Sequence, residues 1–501
     1  MKKIMNKAEI FLDEMIEGIL TTHPGDLTVG RVLRRIALQY PGRFFRRKAT
    51  VMLAFGLIFG LPAGFAAAQG LTTNETFTAL VIGQDSVYAN ALHGNGYASK
   101  SWVSNAPVEV IVPLEGPVLT GKPVTFKLNG NPSNPHWELG DGTTAYGKSV
   151  SHTYQEPGFY RIVMGSKEGD TFKELSSAIV RVHTPETLHL PQVLLDTDAR
   201  NEIDDQHYIG YGLFSNMDVL GINSVHHGPH RTDRGGDAQE QMNYGEIIHI
   251  LALSRQSDLL MHRTENLMPQ VFHGSKAPLQ APSSGNWQDT RPVKSEASEA
   301  ILAAARGASP DNPVWVLPVG PCTNIANAIL LAREEGLDLK SRIKIIWLGG
   351  GPEQVNVRSF NGENDPWSVY VTGQSGIEFW ILLENPTGAS LALDKRTDLG
   401  LYPKNKLGDY LVAISNIWST QPKKALYDVA VVSMVVGKHL GLDWLTSVEP
   451  SSVQGPDQEY RWQKVESSTD VYIIREIDAE AMKADFFNTL NGKPTELPPM
   501  R

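Results

Sequence analysis

The sequence predicts an α/β fold, a mostly parallel open sheet with helices on both faces, preceded by a small all-β immunoglobulin-like sandwich. Three observations carry that expectation. From about residue 190 onward, apolar runs (QVLLDTD, VWVLPVGPCTN, IKIIWLGGG, IEFWILL) alternate with loops and amphipathic stretches, as parallel strands covered on both faces require. Between 107 and 183, shorter alternating runs (VEVIV, VTFKL, YRIVM, AIVRV) are separated by Gly, Pro and Asn turns, the pattern of a small antiparallel sandwich. The composition, 41% hydrophobic and 20% charged over 501 residues, is that of a globular chain with room for more than one domain.

Charge and cysteine content narrow the function classes. A formal net charge of -10 gives no basic stripe for nucleic acid, so small-molecule or neutral glycan partners are expected. The single cysteine, Cys322, forbids an intramolecular disulfide or a Cys-based zinc site, and is expected as a small buried apolar residue.

Taken in order, residues 1–68 form an N-terminal extension and targeting segment. Arg43, Arg46, Arg47 and Lys48 precede about twenty apolar residues that end in Ala66-Ala67-Ala68, which predicts export to the periplasm or the exterior with cleavage near Ala68. The alternative is a retained membrane anchor over 49–68. Residues 69–106 are polar and aperiodic and read as a linker. Within 107–183, the elements W-x-x-G-D-G, H-T-Y and P-G-x-Y occur as Trp137 to Gly142, His152 to Tyr154 and Pro157 to Tyr160. This stretch resembles the PKD family of immunoglobulin-like domains, which implies a spacer or a glycan-binding module without chemistry of its own. In it, Asp141-Gly142 makes a tight turn, Trp137 fills the space between sheets, and Tyr154 and Tyr160 supply core area with polar tips.

The α/β domain, 190–492, opens on LLDTDARNEIDDQ, with Asp196, Asp198, Glu202, Asp204 and Asp205 within ten positions. Carboxylates packed so closely repel one another or take up protons unless a cation sits among them. Helix capping accounts for one or two acids at the start of a helix, but not for Asp196 and Asp198 upstream. A hard divalent cation, calcium or magnesium, accounts for all of them. An EF-hand is excluded, because the turn-glycine position holds Asn201 and the twelfth position His207.

Four pieces in order, DTDARNEIDDQ, VGPCTNIANAI, FNGENDP and LYDVAVV, resemble the nucleoside hydrolase superfamily. The resemblance covers 190–492, with an acidic loop two residues longer than the usual D-x-D-P-G-x-D-D, as in a branch carrying N-E-x-D-D-Q. It implies hydrolysis of the N-glycosidic bond of a ribonucleoside or related riboside. It also implies a Ca2+ ion held by Asp198, Asp205, the main-chain carbonyl of Thr323 and Asp428. Asp198 would further act as the base toward water, while Asp204 and Asn361 would bind the sugar. The chemistry agrees: an oxocarbenium-like state needs a positioned water beneath the anomeric carbon, and a cation with a neighbouring carboxylate base supplies one. Dimers or tetramers are common in the family, so a homo-oligomer is also implied.

Two positions depart from the family. Its Glu before F-N is Ser359, with Glu363 the nearby candidate to compensate. Its His before the last metal Asp is Tyr427, a poorer acid at neutral pH. His226, His227 and His230 cluster after the second strand of the domain and are candidates either for the missing acid or for a partner to a loop carboxylate. Two rival readings therefore stand: an exported polysaccharide-binding protein with a degenerate site, or a hydrolase of O-glycosides, which needs two inward carboxylates.

Overall fold

The computed structural model describes residues 109–495 apart from 112–116, 131, 133, 169–170, 229–237, 258–267, 351–358, 454–461 and 464–469. The targeting segment, the linker and His230 lie outside the described residues. Among the described residues no helix is long and apolar enough to cross a membrane.

Eight strands build the expected sandwich: β1 (Glu109–Ile111), β2 (Val118–Leu119), β3 (Pro123–Asn129), β4 (Pro135–Glu138), β5 (Thr144–Tyr146), β6 (Ser149–Thr153), β7 (Gly158–Glu168) and β8 (Thr171–His183). One sheet runs β1-β3-β6 and the other β2-β8-β7-β4-β5. Alternation along β3, exposed then buried, places Val124 and Phe126 inward. Trp137 is fully buried between the sheets and donates Nε1–H to the Gly147 carbonyl at 2.6 Å. Tyr154 and Tyr160 bury their rings and send their hydroxyls to the carbonyls of Leu139 (2.9 Å) and Glu156 (2.8 Å). At the Asp141-Gly142 turn, Gly142 takes φ +85° and the Asp141 carboxylate accepts the Thr143 N–H at 3.0 Å.

The second domain is built on β9 (Gln192–Thr197), β10 (Asp218–Ser224), β11 (Gln270–Phe272), β12 (Val314–Pro318), β13 (Ile343–Leu348), β14 (Glu378–Leu382), β17 (Leu445–Val453), β18 (Trp462–Gln463) and β19 (Val471–Ile477). Their order is β11-β10-β9-β12-β13-β14-β19-β17-β18, parallel as far as β19 and antiparallel beyond it. The helices are α1 (Asp204–Phe214), α2 (Gln239–Arg255), α3 (Glu296–Gly307), α4 (Thr323–Glu335), α5 (Phe360–Asn364), α6 (Pro366–Gln374), α8 (Val429–Leu440) and α9 (Ala479–Leu490), while α7 (Lys406–Trp418) lies in a separate unit. Helices α3, α4 and α6 pack on one another in one layer, and α1, α2, α8 and α9 in another. All six residues of β9 are buried, because a central strand covered on both sides tolerates little polar surface. The chain leaves β9 toward β10 and β11 and returns on the other side of β9 with β12. That reversal opens a crevice beyond the carboxyl ends of β9 and β12.

Residues 393–424 belong to a separate compact unit. It contains α7, capped by Asn405, whose side chain accepts the Gly408 N–H at 2.8 Å, with Leu407 and Leu411 buried. Strands β15 (Ala392–Asp394) and β16 (Lys423–Ala425) pair at its ends.

Candidate active site

The acidic loop leaves β9 at the crevice. Asp196, the fifth residue of the strand, turns its Oδ2 to two amides, Asn223 Nδ2 at 3.1 Å and Asn324 Nδ2 at 3.0 Å. Burial raises its pKa to about 7 against the pull of those donors. Asn324 also donates to the Ser224 carbonyl (2.8 Å) and accepts the Ser275 N–H (2.7 Å). Asp196 thus ties β9 to β10 and α4, and stands apart from the carboxylates that converge.

Among the described residues, Asp204, Asp205 and Asp428 bring one carboxylate oxygen each within 4.8 Å of one another, all three buried. Thr197 donates its hydroxyl to Asp205, and the Tyr427 N–H reaches Asp204 Oδ2 at 3.1 Å. Asp198 is 1% exposed, and its Oδ2 has no hydrogen-bond partner among the described residues. Burial first, then the charges of Asp205, Asp204 and Glu202, hold its carboxyl well above the ordinary range. Asp198 is not one of that group of three, but its charge interacts with Asp205 and Asp204. Three converging buried carboxylates suit a cation with oxygen ligands, so this donor set fits a divalent metal ion.

Motif residues that the sequence left without a role are accounted for by contacts. At Gly320, in V-G-P-C-T-N, a Cβ would lie 2.9 Å from Val225 and 3.2 Å from Asp198 Cβ and Cγ, so the glycine makes room for Asp198. Gly228 has φ +82°, and a Cβ there would lie 1.9 Å from Asn364 Oδ1. The lengthened loop is pinned to α2: the Arg200 N–H donates to Asn243 Oδ1 (2.9 Å), and Arg200 and Gln206 both reach Glu246 (3.4 and 3.3 Å). Gln206 also folds back on the Ala199 carbonyl at 2.9 Å.

Thr323 opens α4 with its hydroxyl donating to Asp365 Oδ2 at 2.6 Å and lying 2.9 Å from His226 Nε2. Asp365, carried up to about 6 by burial against its donors, is a residue the sequence placed in F-N-x-x-x-D-P without assigning it work. His226 accepts the Gly228 N–H on Nδ1 at 3.0 Å, and burial lowers its pKa to about 3. With both ring nitrogens engaged, His226 is a structural link and does not supply the missing acid. His227 sits with Nδ1 3.2 Å from Asn243 Nδ2. Asn361 commits Nδ2 to the carbonyls of Val319 (2.7 Å) and Leu348 (3.0 Å), leaving Oδ1 for a ligand.

The expectation for Glu363 is corrected: it is exposed. Ser359 caps α5, accepting the N–H groups of Gly362 (3.1 Å) and Gly350 (2.9 Å). The carboxylate that meets this turn is Glu384, beyond β14, which accepts the N–H groups of Phe360 (3.2 Å) and Asn361 (3.3 Å). Burial raises it to about 7 against those donors. Nothing in the sequence near 384 announced it, because the contact spans more than twenty residues. Cys322 is buried, as expected.

Comparison with known families decides the assignment. The family model described as inosine-uridine preferring nucleoside hydrolase matches residues 193–484, more than half of the chain. The chain belongs to the nucleoside hydrolase family. A PKD domain model matches residues 107–179 ahead of it. Among solved structures, the chain is similar to a plant nucleoside hydrolase, the PpNRh1 enzyme, at 18% identity over 60% of this chain and 98% of that one, with a TM-score of 0.45. It is also similar to a purine-preferring ribonucleoside hydrolase from Gardnerella vaginalis (19%, 60% and 98%, 0.44). A third similar structure is an inosine-uridine preferring nucleoside hydrolase from Bacillus anthracis (16%, 61% and 100%, 0.43). No curated protein matches. As a member of this nucleoside hydrolase family, the protein is an N-glycosyl hydrolase.

Proposed function

We propose that this nucleoside hydrolase cleaves the N-glycosidic bond of ribonucleosides or a related N-riboside with calcium at the acidic crevice. The observation that supports it most is the convergence of Asp204, Asp205 and Asp428, two of which also interact by charge with the buried Asp198. Asp198, Asp205, Asp428 and the Thr323 carbonyl would hold the ion, which when bound supplies the charge that acidifies a water and fixes it near the sugar. Asp198 would serve as general base toward the attacking water. Asp204, whose Oδ2 accepts the Tyr427 N–H, would bind a sugar hydroxyl, and Asn361 would bind the sugar as well. Since Asp204 lies in the same tight group as two of the ligands, the hydroxyl it grips would be held close to the attacked carbon.

Two further readings go with this one. The basic and apolar segment ending at Ala68 supports export to the periplasm or exterior. We place any glycan contact of the sandwich at Tyr146, which is 68% exposed and rests edge-on against His136. The central test is incubation of the purified protein with inosine, uridine and p-nitrophenyl riboside. Release should stop with chelator and return with calcium. No release from any of the three, with calcium present, would overturn the proposal.

A further inference from the structure

The sandwich is expected from its sequence as a spacer or a binding module. Its packing says more. Phe159 on β7 and Ile179 on β8 are fully buried, and they belong to the same apolar core as Leu194, Leu220 and Phe272 of the α/β sheet and Ala300 and Ile301 of α3. Phe159 meets Phe272 edge to face, with ring centroids 5.0 Å apart, and Arg181 covers Phe159 at 5.2 Å.

The polar contacts are as specific. β8 pairs with β7 at Phe159, but on the other side of β7 strand β4 pairs only over Val163–Ser166, so among the described residues that side of the main chain near Phe159 has no strand beside it. Gln270 of β11 takes that place with its side chain: Oε1 accepts the Phe159 N–H at 2.6 Å, and Nε2 donates to the Phe159 carbonyl at 3.1 Å. One amide thereby satisfies two main-chain groups that burial would otherwise leave costly. Among the described residues β11 is a three-residue edge strand, paired on one side only, with β10. Such a short edge gains its position from what lies across it.

From β11 the contacts run directly to the residues behind the carboxylates. The Ser275 carbonyl accepts the His226 N–H at 3.0 Å, and the Ser275 N–H donates to Asn324 Oδ1 at 2.7 Å. Asn324 holds Asp196, and His226 meets Thr323. Clearance along the path is small: a Cβ at Gly274 would lie 1.8 Å from the Ser224 carbonyl, and one at Gly221 would lie 2.5 Å from Phe272.

We infer that the PKD-like sandwich is a fixed buttress of the hydrolase site, which it stabilises through Phe159, Gln270 and β11 and so holds His226 and Asn324 in place. The packing itself does not depend on the proposed reaction; only its bearing on catalysis rests on that reading. The test therefore uses readouts that need no substrate. In the full chain, calorimetry should show the sandwich and the α/β domain unfolding in one transition, and Gln270→Ala and Phe159→Leu should each lower its midpoint. By hydrogen exchange, Gln270→Ala should speed the amides of Val225 to Gly228 and of His273 to Ser275 by about tenfold, with those of β13 unchanged. Phe159→Leu, which keeps the main-chain pair with Gln270, should do so less. Two separate unfolding transitions in the unaltered chain would overturn the inference. So would wild-type exchange at His226 and Ser275 in Gln270→Ala, or an equal rise in β13. Loss of riboside hydrolysis in the unaltered chain would touch the proposed reaction and leave the buttress standing.

Discussion

Two buried carboxylate clusters lie beyond the strand ends of this domain, and they are built on opposite principles. Glu240, 1% exposed, accepts from Ser224, from the Gly274 N–H at 3.2 Å and from His273 Nδ1 at 3.0 Å, and Tyr244 stacks on the His273 ring at 3.8 Å. Burial pushes Glu240 up, but the bond and charge of His273, with the other donors, carry it below the ordinary range. Asp198 is equally buried, and both its burial and the neighbouring acids push it upward. The first cluster pairs its acid with a histidine, although Glu240 Oε2 has no hydrogen-bond partner among the described residues, whereas Asp198 meets further acids. Burial of an acid alone therefore does not mark a site in this fold; what sets Asp198 apart is burial together with the charges of neighbouring acids.

Several substitutions sharpen or break that contrast. The largest effect is expected for Asp198→Asn, with kcat lowered by about a thousandfold and calcium uptake weakened in calorimetric titration; a rate near wild type removes Asp198 from the mechanism. Next comes calcium itself. At a hundredfold excess over Kd it should stabilise the wild type by about 2.7 kcal/mol, seen as a rise in Tm that Asp205→Asn abolishes.

The two clusters should then differ in sign. Glu240→Gln should destabilise by about 2 kcal/mol, since it removes the charged partner of His273, which is itself partly exposed. In chelator, Asp205→Asn should instead stabilise by about 1 kcal/mol through relief of repulsion. Equal destabilisation by both would end the distinction.

The effect of pH follows from the directions of the two shifts. Glu240 is lowered from its ordinary 4.5, so its contribution is present above that value and lost as pH falls through the folded pKa. His273 is raised from 6.5, so its contribution is present below that value and lost as pH rises through the folded pKa. The deficit of Glu240→Gln in denaturant titrations should therefore be greatest between about pH 4.5 and 6.5 and shrink on both sides. The smallest effect is expected for Glu363→Gln, which should leave kcat/KM within about twofold because the side chain is exposed.

Much of this was legible along the chain because it is local. Period-two alternation in β3, the buried run of β9 and the Asp pair opening α1 each announce themselves within a few residues. The carboxylates predicted to converge could be ordered because motif pieces occur in sequence. What stayed hidden depends on contacts between distant segments. In sequence Asp196 stands among the acids of the loop, while its two amide partners, Asn223 and Asn324, come from other elements. Glu384 was invisible for the same reason, and Glu363 attracted attention only through nearness in sequence. The partnership of Gln270 with Phe159 joins residues 111 positions apart, a separation at which neither residue type nor period carries a signal.

The bare backbone at residue 320 has a consequence for how this protein can change over generations. Any side chain there would press on Val225 and on the base of the proposed reaction at once, so drift at that position is closed unless both neighbours move together. Three segments, those of Val225, Asp198 and Gly320, thus constrain one another at a single point of contact.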